Sequence, residues 1–589
     1  MGRNREEERS DEKNNYEPLT LPMISNKKHI QQLVALLAVK EILDVVVSPG
    51  SRNGALVQTL VSDGRFNCFN LIDERSAAYF ALGMAQAKKM PVALLCSSGT
   101  AALNYTSAIA EAYYQQVPLV VLTADRPDYW IDQLEAQCIN QQGIYTNFVV
   151  QEINLPLGES PQEISQANRK INIGLNAAFA ESKPVHINIP LEEPLYEFVD
   201  ELVPTNVRNI PLTKQNVSLP TEKTELLVNR LNQSDQILIV VGQMLPEDGL
   251  AQLVGLFADM VGATILAEPL ANLPDIAMID NFDLTLSSLS TEEMEQLRPQ
   301  ILITLGGQLV SKRIKQFLRK YQPHEHWHIS PSAHHADTYW SLTDVIPLSS
   351  KVFLETMLSA CYDVEMEFQL HSPYRLQWIQ FAQRANEAFD AATTSLGFTD
   401  MKVHQLLKGY IPAESIVHYG NSASIRYGIL QTPEAASFYS NRGTSGIDGS
   451  LSTAVGFAST SADLNTVVLG DLAFLYDSNA LWNNDFPSNL RIVVLNNGGG
   501  NIFGMIPGPS RSMAFRKHFI AEHNFKAKGI AETFGISYLS AQNEEELRQN
   551  LDYIYSTSCR KACIVEVFTN QEENSKEYQR ISPLQLLKV

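Results

Sequence analysis

Residues 466–500 read TVVLGDLAFLYDSNALWNNDFPSNLRIVVLNNGGG. Two apolar, β-branched runs, 466–469 and 491–495, lack the polar alternation of a half-exposed strand. Uninterrupted runs of that length fit strands covered on both faces, as in a parallel sheet. The stretch between them suits a crossover connection and is too long for a hairpin. Asp471 follows the first run almost directly, and Asn497, 26 positions later, follows the second. A βαβ unit of that size sets both residues at the carboxyl ends of neighbouring strands, where α/β sheets build sites. One carboxylate oxygen, one amide oxygen and a glycine-exposed carbonyl form an oxygen-only shell suited to Mg2+. The glycines admit a bulky diphosphate close to the main chain. NNGGG by itself reads as an ordinary Asn-Gly turn; its pairing with Gly470-Asp471 favours a metal-diphosphate site.

Outward from this unit the same pattern recurs. The first third has strand-like runs at 44–47, 92–96, 119–123 and 185–189. A second unit starts at QILIVVGQ (236–243), continues through ATILAEP and ILITLGGQLVSKRI, and fades near Cys361. The last third begins around His371, with strands at 416–419, 466–469 and 491–495. The fold class is α/β, with three doubly wound parallel-sheet domains. The divisions are a flexible tail over 1–22 and domains over 23–200, 201–365 and 366–589, with the proline-rich, aperiodic stretch 190–220 as a linker. An internal repeat relates the first and last domains. Gly83 falls on Gly456, Ser97-Ser98 on Gly470-Asp471, and the end of PLVVLT on the end of IVVLN. Only the second copy carries Asp471, Asn496 and Asn497, where the first has Ser98, Thr123 and Ala124, which points to a ligand held by the second copy.

The bulk numbers narrow the function. The 589 residues are 44% apolar and 19% charged with a formal charge of −20, which excludes nucleic acid or an anionic membrane as the main partner. An anionic ligand must be met by local Arg and Lys. The six cysteines show no paired spacing, Cys559 and Cys563 being the nearest two, as in a cytoplasmic protein with reduced thiols. QQLVALLAVKEILDVVV (31–47) is broken by Lys40, Glu41 and Asp44 and is no membrane span. The N-terminal MGRNREEERSDEKNNYE lacks the apolar core of a signal peptide. HEHWHISPSAHH (324–335) alternates His326 and His328 but lacks Cys or acids at ligand spacing, so it reads as an edge strand of the central domain. With no G-x-G-x-x-G before a helix and no Walker motif, a dehydrogenase is disfavoured and the central domain reads as structural.

Gly470-Asp471-Leu472 followed by Asn496-Asn497 resembles the signature of thiamine-diphosphate-dependent enzymes, in which Gly normally stands where this chain has Leu472. The resemblance implies that the last domain binds the diphosphate and metal and the first the pyrimidine ring. It implies Mg2+, with Mn2+ as a substitute, held by Asp471, Asn497 and the Gly499 carbonyl. Gly470, Leu472, Ile447, Ile502 and Phe503 would also contact the cofactor, Ile447 as an apolar wedge beneath it. Glu74, in LIDERSAAYFALGMAQA, would be the catalytic acid that hydrogen-bonds the aminopyrimidine; a plain helix N-terminal acid is the alternative for that residue. The family places its site between subunits, so a homodimer or a dimer of dimers is implied.

Within that family, SPGSRN, DERSAAYFALG, SSGTAALN, TADRP, SKR, GNSASIR, SNRGTSGIDG and GDLAFLYDSNAL resemble the 2-succinyl-5-enolpyruvyl-6-hydroxy-3-cyclohexene-1-carboxylate synthase family of menaquinone biosynthesis, from about Lys27 onward. That implies decarboxylation of 2-oxoglutarate and addition of the succinyl unit to isochorismate. Both substrates are multiply anionic, and planar guanidinium groups suit their carboxylates. By resemblance, Arg426 and Arg442 with Ser422 hold the succinyl carboxylate, while Ser51, Arg52, Arg126, Gln137, Lys312 and Arg313 face isochorismate. Glu135 departs from the family pattern and brings a negative charge beside Gln137. An acetolactate-synthase-like carboligase and a non-catalytic protein that keeps the fold are the competing readings. The Arg426/Arg442 pair disfavours the first, and joint retention of Glu74, Asp471 and Asn497 the second.

Overall fold

The apolar runs gather into three parallel sheets in the computed structural model, which describes residues 23–213, 217–332, 334–506 and 508–581. The tail expected over 1–22 lies outside the described residues. The first sheet runs, in spatial order, Asn67–Asn70, Asp44–Val47, Val92–Cys96, Leu119–Asp125, Val185–Pro190, Gln151–Asn154. The third runs Ser437–Tyr439, Ile416–Tyr419, Asn465–Gly470, Leu490–Asn496, Cys563–Phe568, Ser537–Ala541. Counted along the chain within each sheet, both have the order 2-1-3-4-6-5, so the repeat read in the sequence is a repeat of topology. The central sheet (Thr264–Ala267, Ile237–Val241, Ile301–Leu305, Glu325–Ile329, Asp344–Ile346) has the order 2-1-3-4-5. In each, strand order reverses between the first and third strands, and that switch point is where open α/β sheets take ligands.

Alternate side chains of each strand enter different cores. Val46, Leu94 and Val121 pack on one face of the first sheet, and Val45, Val47, Ala93, Leu95, Val120 and Leu122 on the other. Both faces are dry, which is why the strands read as unbroken apolar runs. The first of these cores continues into Val467, Leu469, Ile492 and Val494 of the third sheet, so the two related domains share it. Their junction is a helix pair, Glu74–Lys88 against Ser450–Ala458. A Cβ on Gly83 would lie 1.9 Å from the Thr453 carbonyl oxygen, and one on Gly456 would lie 2.0 Å from that of Phe80. The two glycines equated by the repeat therefore let each helix press on the other's backbone, and Ser76 and Ser452 hydroxyls meet at 2.8 Å beside them.

Three features differ from the sequence reading. The strand carrying His326 and His328 is no edge strand: it pairs with Ile301–Leu305 on one side and Asp344–Ile346 on the other. Both rings meet the Thr304 hydroxyl at 3.0 Å, a cross-strand contact that fills polar needs within the sheet. The 190–220 stretch is more than a linker, because Phe198–Asp200 forms a strand antiparallel to Met23–Ser25. The helix Pro373–Thr393, just past the boundary expected at 365, bridges two cores: Tyr374, Trp378 and Ala382 join the central one, while Ala385 and Phe389 pack with Met401 and Tyr427. No helix among the described residues is long and apolar enough to cross a membrane.

His29, at the start of the helix Lys28–Val39, is 2% exposed and neither ring nitrogen has a partner. Burial, with the nearby Lys27 charge, lowers its pKa from 6.5 to about 4. A ring neutral in the fold but protonated in the unfolded chain gives stability that is present above 6.5 and lost as pH falls toward 4. The parent therefore loses about 2 kcal/mol through this group on going from neutral pH to pH 5. Thermal midpoints of His29→Leu measured at the two pH values should show a gain over the parent that is larger at pH 5.

Candidate active site

The third sheet brings Asp471 and Asn497 together as their spacing requires. Gly470 pairs with Leu495, so both residues leave the sheet at the same level, on adjacent strands. Asp471 is 3% exposed and accepts from three backbone donors. Its Oδ1 accepts from Leu472 N at 2.6 Å, and its Oδ2 from Gly498 N at 2.8 Å and Gly499 N at 3.0 Å. Burial still pushes the carboxyl up to about 7 against the lowering effect of those three donors. Asn497 donates through Nδ2 to Asp400 Oδ2 at 2.9 Å, which turns its Oδ1 away; that oxygen is buried and has no partner. Gly499 has φ 149°, and a Cβ there would lie 2.5 Å from the Ile520 carbonyl oxygen. Its own carbonyl accepts from Asn501 N at 2.9 Å and keeps a second lone pair. A Cβ on Gly470 would meet nothing within 4 Å, so open space lies over the strand end. A buried carboxylate, an orphaned amide oxygen and bare backbone beside open space fit a hard divalent cation with a diphosphate.

Around this cage, Leu472 and Ile447 are half-buried, Ile447 packing against the shared core. Ile502 packs near Met505 and Tyr427, and Phe503 meets Phe519 at 5.7 Å between ring centroids. His523 stands over the cage, with Nε2 3.4 Å from Asp471 Oδ2.

A cavity of about 590 Å³ adjoins the third domain. Its lining includes Lys312, Arg313, Arg426, Ile502, Arg511 and Tyr578. Lys312 and Arg313 open the helix Lys312–Lys320, whose N-cap Ser311 bonds Ile314 N; Arg426 ends the helix Ala423–Gly428. Arg313 pairs with Asp283, which also accepts from Ser311 Oγ at 2.5 Å. Ser422 has φ 74° at the switch point of the third sheet, and its carbonyl accepts from Arg426. Arg442 is 8% exposed, donates to Asn421 Oδ1 at 3.0 Å, and keeps a buried Nε without a partner. Burial lowers the pKa of both Arg426 and Arg442.

The remaining candidates form a second group at the carboxyl edge of the first sheet. Arg52 is 6% exposed and donates to Leu191 O and Glu193 Oε1, each at 3.1 Å. Arg126 chelates Ala136 O and lies 3.3 Å from Glu135 Oε1, so the unexpected acid forms an ion pair with the arginine beside it. Ser51 and Gln137 are exposed, and Gln137 takes φ 52°. Glu74 is half-buried at the start of its helix and meets Asn104 Nδ2 at 3.4 Å. Its neighbour Arg75 donates to the carbonyl of Tyr476, the last residue of the helix that Asp471 begins, and Asp73 accepts from Asn479 just beyond it. Neither Glu74 nor the Ser51, Arg52, Arg126 and Gln137 group lines the cavity of Lys312, Arg313 and Arg426 within one chain.

Sequence reading missed Asp400, Asp283, Arg511, Tyr578 and His523. Asp400 looks like a helix-first-turn acid after its N-cap Thr399, and only folding reveals that it is 0% exposed and fixes Asn497. Asp283 is similarly disguised in DNFDLTL; a rule that a paired Ser-Lys-Arg needs a counter-charge would have prompted the search but not located it.

Comparison with known proteins identifies the family. The family described as "Thiamine pyrophosphate enzyme, N-terminal TPP binding domain" matches residues 28–144, and "Middle domain of thiamine pyrophosphate" matches 207–418. A protein of Bacteroides thetaiotaomicron named 2-succinyl-5-enolpyruvyl-6-hydroxy-3-cyclohexene-1-carboxylate synthase is 40% identical over 565 residues, 94% of this chain and 98% of that protein. Proteins of the same name from Phocaeicola vulgatus (38% identical, 94% of this chain and 97% of the relative) and Flavobacterium psychrophilum (37%, with 92% and 96%) are similar over nearly the same span.

Proposed function

The chain belongs to the 2-succinyl-5-enolpyruvyl-6-hydroxy-3-cyclohexene-1-carboxylate synthase family of thiamine pyrophosphate enzymes, and from that premise we propose the following reaction and residue roles. The enzyme decarboxylates 2-oxoglutarate and adds the succinyl unit to isochorismate, giving the compound named and CO2. Thiamine diphosphate, when bound, supplies the electron sink that makes loss of CO2 feasible. Asp471, Asn497 and the Gly499 carbonyl hold Mg2+, or Mn2+ in its place, on the diphosphate. Gly470 and Leu472 border that group, and Ile447, Ile502 and Phe503 give the cofactor apolar contact and keep water out. Glu74 exchanges a proton with the aminopyrimidine ring.

Arg426, Arg442 and Ser422 bind the distal carboxylate of the donor, and Lys312 and Arg313 meet a carboxylate of the acceptor. Ser51, Arg52, Arg126 and Gln137 complete the acceptor site, and a second copy of the chain brings this group and Glu74 to the cage. The working unit is a homodimer or a dimer of dimers, and the scattered cysteines suit a cytoplasmic location. The observation that carries the substrate reading is the cavity lined by Lys312, Arg313 and Arg426 in a chain whose formal charge is −20. Arginines concentrated there, against the overall charge, match donors and acceptors rich in carboxylates.

Arg442→Ala tests the donor assignment. Loss of a charge-assisted hydrogen bond to the donor should lower kcat/KM for 2-oxoglutarate by about tenfold or more, with little change for pyruvate, which has no distal carboxylate. Equal effects, or none, on the two donors would move the reading to a carboligase with a smaller donor.

A further inference from the structure

The turn that carries Arg442 is held by residues of the other two domains. Glu111, on the first-domain helix Thr106–Gln115, is 0% exposed and sits against this turn from across the chain. Its Oε1 accepts from Gly443 N at 2.6 Å; its Oε2 accepts from Thr444 N at 2.6 Å and Thr444 Oγ1 at 2.5 Å. Gln115, one helical turn later, donates to Glu111 Oε1 at 2.5 Å and to Ser440 O at 3.3 Å. From the central domain, Gln243 donates to Ser440 O and Gln308 to Gly443 O, each at 2.8 Å. The turn has its own internal strut: Asn421 Nδ2 donates to Asn441 O and Gly446 O at 2.6 Å, while its Oδ1 receives Arg442. Two successive backbone N–H groups chelated by one buried carboxylate cannot slide or rotate independently, so the two peptide planes that follow Arg442 are fixed from outside their own domain.

We infer that Glu111 is a positioning residue for the donor site, setting the Gly443–Thr444 backbone so that Arg442 meets the distal carboxylate of the 2-oxo acid. This rests on the proposed role of Arg442. The charges are consistent with it: Glu111 and the buried Glu268 are the acids that offset the burial of the Arg442 guanidinium. Glu111 does not line the cavity of Lys312 and Arg313, so acceptor binding should be independent of it.

The test uses the full-length protein with thiamine diphosphate and Mg2+, and two donors of equal length, 2-oxoglutarate and 2-oxopentanoate, which lacks the distal carboxylate. Glu111→Gln keeps the shape but turns an amide NH2 toward a backbone N–H. It should lower the preference for 2-oxoglutarate over 2-oxopentanoate by about tenfold, leaving KM for isochorismate within about twofold. Thr444→Val, which removes only the hydroxyl contact, should shift the same ratio less and in the same direction. A role confined to stability would depress both donors equally and lower the thermal midpoint; an unchanged ratio in both variants overturns the inference. If the parent shows no preference for 2-oxoglutarate, or Arg442→Ala leaves the ratio intact, the donor-site reading itself fails, and the inference with it. A parent preference lost in Arg442→Ala but kept in Glu111→Gln refutes the Glu111 role alone.

Discussion

Glu74→Gln lowers kcat by about a hundredfold to ten-thousandfold while leaving the affinity for thiamine diphosphate within a few-fold. The amide retains the size of the side chain and its place at the start of the helix Glu74–Lys88, but it cannot exchange a proton with the pyrimidine ring. Asn104 can still donate to the remaining oxygen, so the local structure should hold. The effect must fall on turnover and proton exchange together. Deuterium exchange at the cofactor carbon that attacks the donor, followed by NMR with no donor present, separates this role from a packing role. Parent protein should accelerate that exchange and the variant should not. Equal exchange rates would return Glu74 to the status of an ordinary acid in the first turn of a helix.

Asp471→Asn should abolish Mg2+-dependent binding of thiamine diphosphate, raising Kd by about a hundredfold or more in calorimetry. The substitution removes the only carboxylate in the proposed metal shell while keeping an oxygen for the Gly498 and Gly499 N–H groups. Its effect on the fold alone should be modest: the amide NH2 faces the Leu472 N–H and forfeits that hydrogen bond, but removing an ionised carboxyl that is costly in that buried place offsets the loss. The thermal midpoint without cofactor should therefore stay near the parent value, and the rise given to the parent by thiamine diphosphate with Mg2+ should vanish. A retained cofactor-dependent rise would show that the diphosphate is held elsewhere.

The Asp471 and Asn497 pair was also the most legible part of the site in the sequence, for a physical reason. Asp471 and Asn497 follow strands that are neighbours in a parallel sheet, so their spacing along the chain fixes their spacing in space. The glycines of 498–500 advertise the close backbone approach. The matching orders of the first and third sheets were foreshadowed by the alignment of Gly83 with Gly456, two helices that later proved to press on each other at those residues. Residues that act across domains left no such trace. Glu111 lies 332 positions from Gly443, and Asp400 lies 97 from Asn497; each reads locally as an acid on an amphipathic or capped helix. The strand of His326 and His328 was misplaced to an edge because its polar residues suggested solvent. In the fold, the Thr304 hydroxyl of the neighbouring strand meets both rings, a contact that no pattern within one strand can reveal.

The most direct measurement is a mass-spectrometric assay of the purified protein with thiamine diphosphate, Mg2+ and 2-oxoglutarate, run with and without isochorismate. The account predicts donor-derived CO2 and a new product heavier than isochorismate by one succinic semialdehyde unit, formed only when all components are present. Donor left unconsumed under those conditions, or consumed without that adduct, would contradict it.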